Sequence, residues 1–154
     1  MRIGLGADHR GFYLKEHIKG TLELLKCDYI DYGTNDDNPV DYPDITVKVI
    51  EGILTNKCER GILICATGIG MSITANRFPK IRAALCMDLY AARLSRAHND
   101  SNVLVIGADF VGKGLASEIV KVWIETPFEG DRHARRLYKI QDIESLIMKY
   151  YKGE

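Results

Sequence analysis

The stretch Gly61-Ile62-Leu63-Ile64-Cys65-Ala66-Thr67-Gly68-Ile69-Gly70 is a short apolar run followed at once by a glycine-rich turn. Residues 61–65 have the length and composition of a buried β-strand. Residues 71–76 then follow a helical pattern. A strand joined by a tight turn to a helix is the repeating unit of a parallel sheet that helices cover.

The same alternation continues towards both ends of the 154-residue chain. Apolar runs predict four further strands, and the segments between them carry apolar residues at helical spacing. These strands are predicted at residues 2–7, 27–32, 82–86 and 102–106. We therefore predict an α/β fold with a five-stranded parallel sheet, about six helices on its two faces, and one domain over residues 1–154.

Charge and cysteine content exclude several classes of function. Lys plus Arg and Asp plus Glu number 21 each, so no overall field draws the protein to nucleic acid or an anionic membrane. The N-terminus does not resemble a signal peptide, and no apolar run approaches the roughly 20 residues that span a bilayer, so we expect a cytoplasmic protein. The four cysteines show neither CxxC spacing nor paired histidines, so no metal site or redox dithiol is expected.

Ligands of such a fold bind at the carboxyl ends of the strands, near the point where strand order reverses. The first strand ends at Asp8-His9-Arg10-Gly11 and the third at Cys65. In a sheet of order 2-1-3-4-5 these two ends are neighbours. Asp8 also has a structural interpretation, as the N-cap of the helix that follows.

Cys65 precedes a turn that can bind an anion. Backbone N–H groups of residues 67–70 lie at a helix N-terminus, where they can form an anion-binding concavity. The same groups favour a thiolate, so we expect the pKa of Cys65 to move from about 8.5 towards neutrality. The structural alternative is a tight turn that merely requires glycine.

Two known types of glycine-rich loop do not match this sequence. A low-molecular-weight phosphatase loop needs Arg six positions after its Cys, where this chain has Met71. A dinucleotide fingerprint needs G-x-G-x-x-G directly after the first strand. Here Gly4 and Gly6 lie within that strand, so phosphatase and nicotinamide interpretations are both disfavoured.

A second polar group is expected at the opposite edge of the sheet. His98 and Asn99 stand between the fourth helix and the fifth strand, and residues 132–136 follow the fifth helix. Helices of this fold return the chain to the amino ends of the strands, so His98 should lie far from Cys65 of its own subunit. The structural alternatives are a solvated loop histidine and a basic first turn on the last helix.

Together these segments resemble the ribose-5-phosphate isomerase B family, which also includes allose- and galactose-6-phosphate isomerases. The matching stretches are residues 6–12, 41–43, 61–72, 94–100 and 129–133, in family order. The resemblance implies a three-layer α/β/α, Rossmann-like subunit whose C-terminal helix packs on a neighbouring subunit. It also implies a homodimer or homotetramer with shared active sites, a small sugar phosphate as substrate, and no metal or other cofactor.

The resemblance further implies a role for each candidate residue. Cys65 matches the base that moves a proton between C1 and C2, and Thr67 matches a residue that holds the enediolate oxygens. His98 matches a residue that helps to open the sugar ring, with the match of Asp8 nearby. The positions matched to substrate binding are His9, Arg132 and Arg136 at the phosphate, Tyr42 and Asn99 along the sugar, and Gly68, Gly70 and Ser72 in and after the loop.

These residue types suit the chemistry. Aldose–ketose isomerisation needs a base close to C2 and donors aimed at the developing oxyanion, which a thiolate and loop amides provide. Ring opening needs an acid or base that works near pH 7, which an imidazole provides. A remote phosphate clamp positions the reacting carbons.

Two positions depart from the family pattern. Many members carry Arg in the turn after the fifth strand, where this chain has Asp109, and Gly where it has Ala66. Asp109 cannot bind phosphate, so we expect a weaker pocket, reliance on Arg132 and Arg136, or a different sugar.

The main hypothesis is an isomerase of ribose 5-phosphate and ribulose 5-phosphate. One alternative is an isomerase of allose or galactose 6-phosphate, and the other is a phosphosugar-binding protein without turnover. The presence of both Cys65 and His98 speaks against the last, because binding alone requires neither a thiolate nor a ring-opening acid.

Overall fold

The structure, a computed structural model, describes residues 1–152, in which strands and helices alternate as the sequence predicts. In chain order the elements are β1 (Arg2–Ala7), α1 (Phe12–Leu24), β2 (Asp28–Asp31), α2 (Tyr42–Leu54), β3 (Arg60–Cys65), α3 (Ile69–Ala75), β4 (Ala83–Leu85), α4 (Leu89–Ala97), β5 (Val103–Gly107), α5 (Lys113–Glu125) and α6 (Asp131–Lys152).

The five strands form one parallel sheet of order β2-β1-β3-β5-β4. The parallel sheet is confirmed, whereas an order of 2-1-3-4-5 is wrong at its far end. β5 is buried along its whole length, which suits a central strand, while the three residues of β4 are only half-buried and suit an edge. The neighbouring positions of β1 and β3 are unaffected.

Apolar side chains fill both faces of the sheet. On one face β1, β3 and β5 pack against α1 and α5, through residues that include Ile18, Leu22 and Trp123. On the other face β3 and β5 pack against α2 and α3, through Val49, Ile50 and Met71. The predicted three-layer α/β/α arrangement is therefore confirmed.

Helix α6 differs from the other helices because very little of it is buried. His133 is its only buried residue among positions 131–152. Ile140, Ile143 and Ile147 are 45%, 52% and 45% exposed. Packing of α6 on a neighbouring subunit stays a prediction, and these apolar side chains are available for it. Within residues 1–152 no helix, α6 included, is long and apolar enough to cross a membrane.

Gly11 allows a close approach between the turn after β1 and strand β3. A Cβ atom at Gly11 would lie 2.3 Å from the carbonyl oxygen of Ile64, whereas a Cβ at Gly20, inside α1, would have nothing within 4 Å. We expect Gly11→Ala to lower the free energy of unfolding by about 2–3 kcal/mol, because backbone cannot yield as a side chain can. Gly20→Ala should raise it by about 0.5–1 kcal/mol through helix propensity.

Urea unfolding of both variants beside the wild type measures the two changes. Equal midpoints for Gly11→Ala and the wild type would show that the turn shifts at little cost.

Candidate active site

The ends of β1 and β3 meet at the carboxyl edge of the sheet. Ala7 pairs with Ile64, and the backbone N–H of Asp8 donates to the carbonyl of Ile64 at 3.2 Å. The turn that carries Asp8 and His9 therefore lies beside the start of the Cys65 loop, as predicted.

Asp8 closes this turn and does not cap α1. Its Oδ1 accepts hydrogen bonds from the backbone N–H groups of Arg10 (2.9 Å) and Gly11 (3.0 Å). Helix α1 begins at Phe12 with Gly11 as its N-cap, so the N-cap interpretation of Asp8 is wrong. A short Asp side chain that bonds the backbone two residues on is a common way to close a turn.

His9 is oriented by the loop that precedes α2. The backbone N–H of Val40 donates to Nδ1 of His9 at 3.3 Å. Because Nδ1 accepts this bond, the neutral ring carries its hydrogen on Nε2. The Nε2–H group is thus free to donate a hydrogen bond, and a phosphate oxygen is a suitable acceptor for it.

The loop after β3 folds around the sulfur of Cys65. The N–H of Gly68 donates to Sγ at 3.1 Å, and the N–H of Ile69 donates to Oγ1 of Thr67 at 3.3 Å. Gly68 has a φ of 77°, in the left-handed region that favours glycine. Helix α3 begins at Ile69, two residues before the predicted start at residue 71.

Burial raises the pKa of the Cys65 thiol, whose residue is only 5% exposed. The negative charge of Asp8 raises this pKa as well, while N–H groups of Gly68, Met71 and Thr67 lower it. The predicted shift towards neutrality is therefore wrong for the single subunit, because loss of water around the sulfur outweighs the loop amides.

This pKa predicts how Cys65 should react with an alkylating reagent. A thiolate is the nucleophile, so a raised pKa places most of the reactive form in alkaline solution. We expect the iodoacetamide rate at Cys65, followed by mass spectrometry, to climb through pH 9 without a plateau, and substrate to slow it. A plateau below pH 8 would contradict a pKa raised by burial.

Tyr42, the first residue of α2, packs against the same loop. A Cβ atom at Gly70 would lie 2.5 Å from Cζ of Tyr42, so the absence of a side chain at Gly70 makes room for the ring. Ser72, in α3, donates its backbone N–H to the carbonyl of Gly68 at 3.0 Å. The candidate residues gathered at the carboxyl edge are thus Asp8, His9, Tyr42, Cys65, Thr67, Gly68, Gly70 and Ser72.

The remaining candidates lie towards the amino edge. His98 is the C-cap of α4, which leads into β5. β5 begins at Val103, opposite Gly61 at the start of β3, and ends at Gly107, opposite Cys65. Within one subunit, the residues at the carboxyl edge are therefore separated from a second group at the amino edge. This second group consists of His98, Asn99, Arg132 and Arg136.

Two residues without a predicted role surround His98. The rings of His98 and His133 stack with centroids 4.1 Å apart and planes 9° apart. Oε2 of Glu129 lies 3.8 Å from Nε2 of His98 and 3.6 Å from Nε2 of His133. Burial lowers the pKa of His133, as do His98 and two nearby arginines. Glu129 precedes α6 and His133 lies in its first turn, and a Glu four residues before a His is too common in sequences to single this pair out.

The side chains of His98, Glu129 and His133 are of types that can bind a metal ion. One ligand atom each from His98, Glu129 and His133 lie within 4.8 Å of one another. The lone pairs of an imidazole lie in the ring plane, and the two planes here are almost parallel. The lone pairs of His98 and His133 therefore cannot point at one ion, as tetrahedral zinc coordination requires. In this arrangement the three residues do not form a tetrahedral zinc site.

Comparison with known proteins agrees with the fold. The sequence model of the Ribose/Galactose Isomerase family matches residues 3–140. The chain belongs to this family. The structure of Clostridium thermocellum ribose-5-phosphate isomerase B is similar at a TM-score of 0.93 and 48% identity, over 96% of this chain and 99% of that chain.

Relatives within the Ribose/Galactose Isomerase family carry different sugar phosphates in their names. Ribose-5-phosphate isomerase B of Escherichia coli is 43% identical over 93% of this chain and 96% of its own. D-erythrulose-4-phosphate isomerase of Pectobacterium atrosepticum is 40% identical over 91% of this chain and 93% of its own. The resemblance seen in the motifs is confirmed.

Proposed function

We propose that this chain is a cytoplasmic isomerase that interconverts ribose 5-phosphate and ribulose 5-phosphate through an enediolate, with residues 1–154 acting as one domain and without a metal or cofactor. The observation that carries the proposal is the loop around Cys65. Its sulfur accepts an N–H bond from Gly68 and lies beside the turn of Asp8 and His9. Two of the relatives described above bear the name ribose-5-phosphate isomerase B.

In this proposal Cys65 is the base. Its thiolate removes the proton from C2 of the open-chain aldose, which leaves an enediolate with its negative charge on O1. The hydroxyl proton on O2 then passes to O1, and the thiol returns the first proton to C1, which forms the ketose and regenerates the thiolate. Thr67 and the loop amides donate hydrogen bonds to the oxygens on which negative charge develops. Such donors stabilise the transition state more than the neutral carbonyl, which is what accelerates the reaction.

Arg132, Arg136 and His98 lie towards the amino edge, away from Cys65 in the same subunit, so a second copy is the source we propose for these side chains. His98 of that copy opens the sugar ring, and its arginines bind the phosphate together with His9.

A homodimer or homotetramer with shared sites follows from this proposal. Its support is the separation of the two residue groups and the half-exposed apolar side chains of α6, whose burial would stabilise a subunit contact. Sites at the interface of a two-fold dimer come in pairs, because each surface patch contacts its counterpart on the other subunit.

There are two alternatives to this function, of which one differs in substrate and the other lacks turnover. Asp109, at a position where many relatives carry a phosphate-binding Arg, favours a sugar of another length, such as allose or galactose 6-phosphate. A phosphosugar-binding protein without turnover is the second alternative.

Turnover of ribose 5-phosphate, allose 6-phosphate and galactose 6-phosphate, measured by ketose formation without added metal, tests the proposal. We expect kcat/KM to be highest for ribose 5-phosphate and EDTA to have no effect. A higher value for a six-carbon sugar would establish the first alternative, and binding without turnover the second. Activity lost in EDTA and restored by zinc or magnesium would show a metal-dependent mechanism.

A further inference from the structure

Arg10 and Asp109 form an ion pair between two turns at the carboxyl edge. Nη2 of Arg10 donates to both carboxylate oxygens of Asp109, at 3.0 and 2.9 Å. Arg10 follows His9 in the turn after β1, and Asp109 lies in the turn after β5.

The pair spans the end of strand β3. β1 and β5 are the two neighbours of β3 in the sheet, so a contact between their following turns passes over the Cys65 loop. The N–H of Asp109 donates to the carbonyl of Ala66 at 2.9 Å, and the N–H of Ala108 donates to the carbonyl of Cys65 at 2.8 Å. Asp109 is therefore held by the same loop that surrounds the candidate base.

Asp109 anchors Arg10 without using all of its donors. A guanidinium has five N–H donors on three nitrogens. Among residues 1–152 its hydrogen bonds reach Asp109 alone and use Nη2 alone, which leaves the donors on Nε and Nη1. The side chains of Arg10 and Asp109 are 57% and 43% exposed, so the pair itself adds little stability.

We propose that Arg10, held in place by Asp109, binds the phosphate group of the substrate beside His9. This inference rests on the proposed function, since it assigns a further residue to the same site. A planar guanidinium pairs with two oxygens of a phosphate at once, and holding it in advance reduces the entropy lost on binding. His9 supplies its Nε2–H donor from the adjacent position in the same turn.

In this arrangement Asp109 contributes to phosphate binding through Arg10. A carboxylate at this position would repel a phosphate if it were unpaired. The charge of Asp109 is neutralised by Arg10, and the carboxylate orients the guanidinium. Arg10 then supplies the cation that many relatives supply with an Arg at position 109. The expectation of a pocket weakened by Asp109 is then offset by Arg10.

The competing explanation is a surface ion pair that only ties the two turns together. Arg10→Ala/Asp109→Asn distinguishes the two, because it removes one charge of each sign and leaves the net charge unchanged. A matched control is Glu118→Gln/Lys121→Ala, which makes the same two kinds of change on the exposed side of α5.

We expect the double variant to raise both KM for ribose 5-phosphate and the competitive Ki of inorganic phosphate about tenfold, as loss of a charged hydrogen bond does. Its kcat should stay within about threefold and its melting temperature within about 2 °C of the wild type, because the pair is exposed. The control should match the wild type in all four measurements.

Unchanged KM and Ki in the double variant would overturn the role of Arg10, as would a lower kcat with unchanged KM. A wild type that does not isomerise ribose 5-phosphate would instead contradict the proposed function. The role of Arg10 is then measured by calorimetric titration of inorganic phosphate into the wild type and the double variant, where equal affinities would overturn it.

Discussion

Cys65→Ala is expected to lower kcat for ribose 5-phosphate by about a thousandfold or more while leaving the fold intact. The proton on C2 is weakly acidic, and a general base contributes roughly 10²–10⁴-fold to such a step. Asp8, the charged neighbour of Cys65, has Oδ1 engaged by two backbone N–H groups, so it is not a ready substitute. Ketose formation by the purified variant measures the effect.

Cys86→Ala is the matched control for this substitution. Cys86 is also a buried cysteine at the end of a strand, and burial raises its pKa to about 11, so it is held as a neutral thiol. Its replacement should cost some stability and leave turnover largely unchanged, as should Cys27→Ala and Cys58→Ala. If Cys65→Ala retained more than a few per cent of wild-type turnover, the base would have to be another group.

Mixing Cys65→Ala with His98→Ala is expected to restore activity that neither variant has alone. The subunit places these residues towards opposite edges of the sheet, so the proposed site takes Cys65 from one copy and His98 from the other. A heterodimer of the two variants then contains one site with both lesions and one site with neither. Subunit exchange after partial denaturation produces such heterodimers.

The size of the recovery follows from counting sites. Random exchange of equal amounts makes about half of the dimers heterodimers, each with one intact site of two, so activity should return to roughly a quarter of the wild type when sites act independently. Two Cys65→Ala preparations mixed in the same way serve as the control and should stay inactive. Mixed dimers proven by mass spectrometry but without activity would place both residues in one subunit's site.

The sequence by itself determined the secondary-structure elements and the local motifs of this protein. Apolar runs and helical spacing were sufficient for five parallel strands and six helices, because each element carries its own pattern. The Cys65 loop, the turn of Asp8 and His9, and the family were likewise evident from short motifs in order along the chain.

The tertiary structure decided what depends on contacts between distant residues. β5 took an interior position beside β3 and β4 took the edge, and the five residues of β5 are buried whereas the three of β4 are half-buried. Which of the two strands would be the interior one is a comparison that local patterns do not make. The pKa of Cys65 rises because burial outweighs the amides of its own loop, and burial is a property of the assembled layers. The contact of Arg10 with Asp109 joins residues 99 positions apart, which only the neighbouring ends of β1, β3 and β5 bring together.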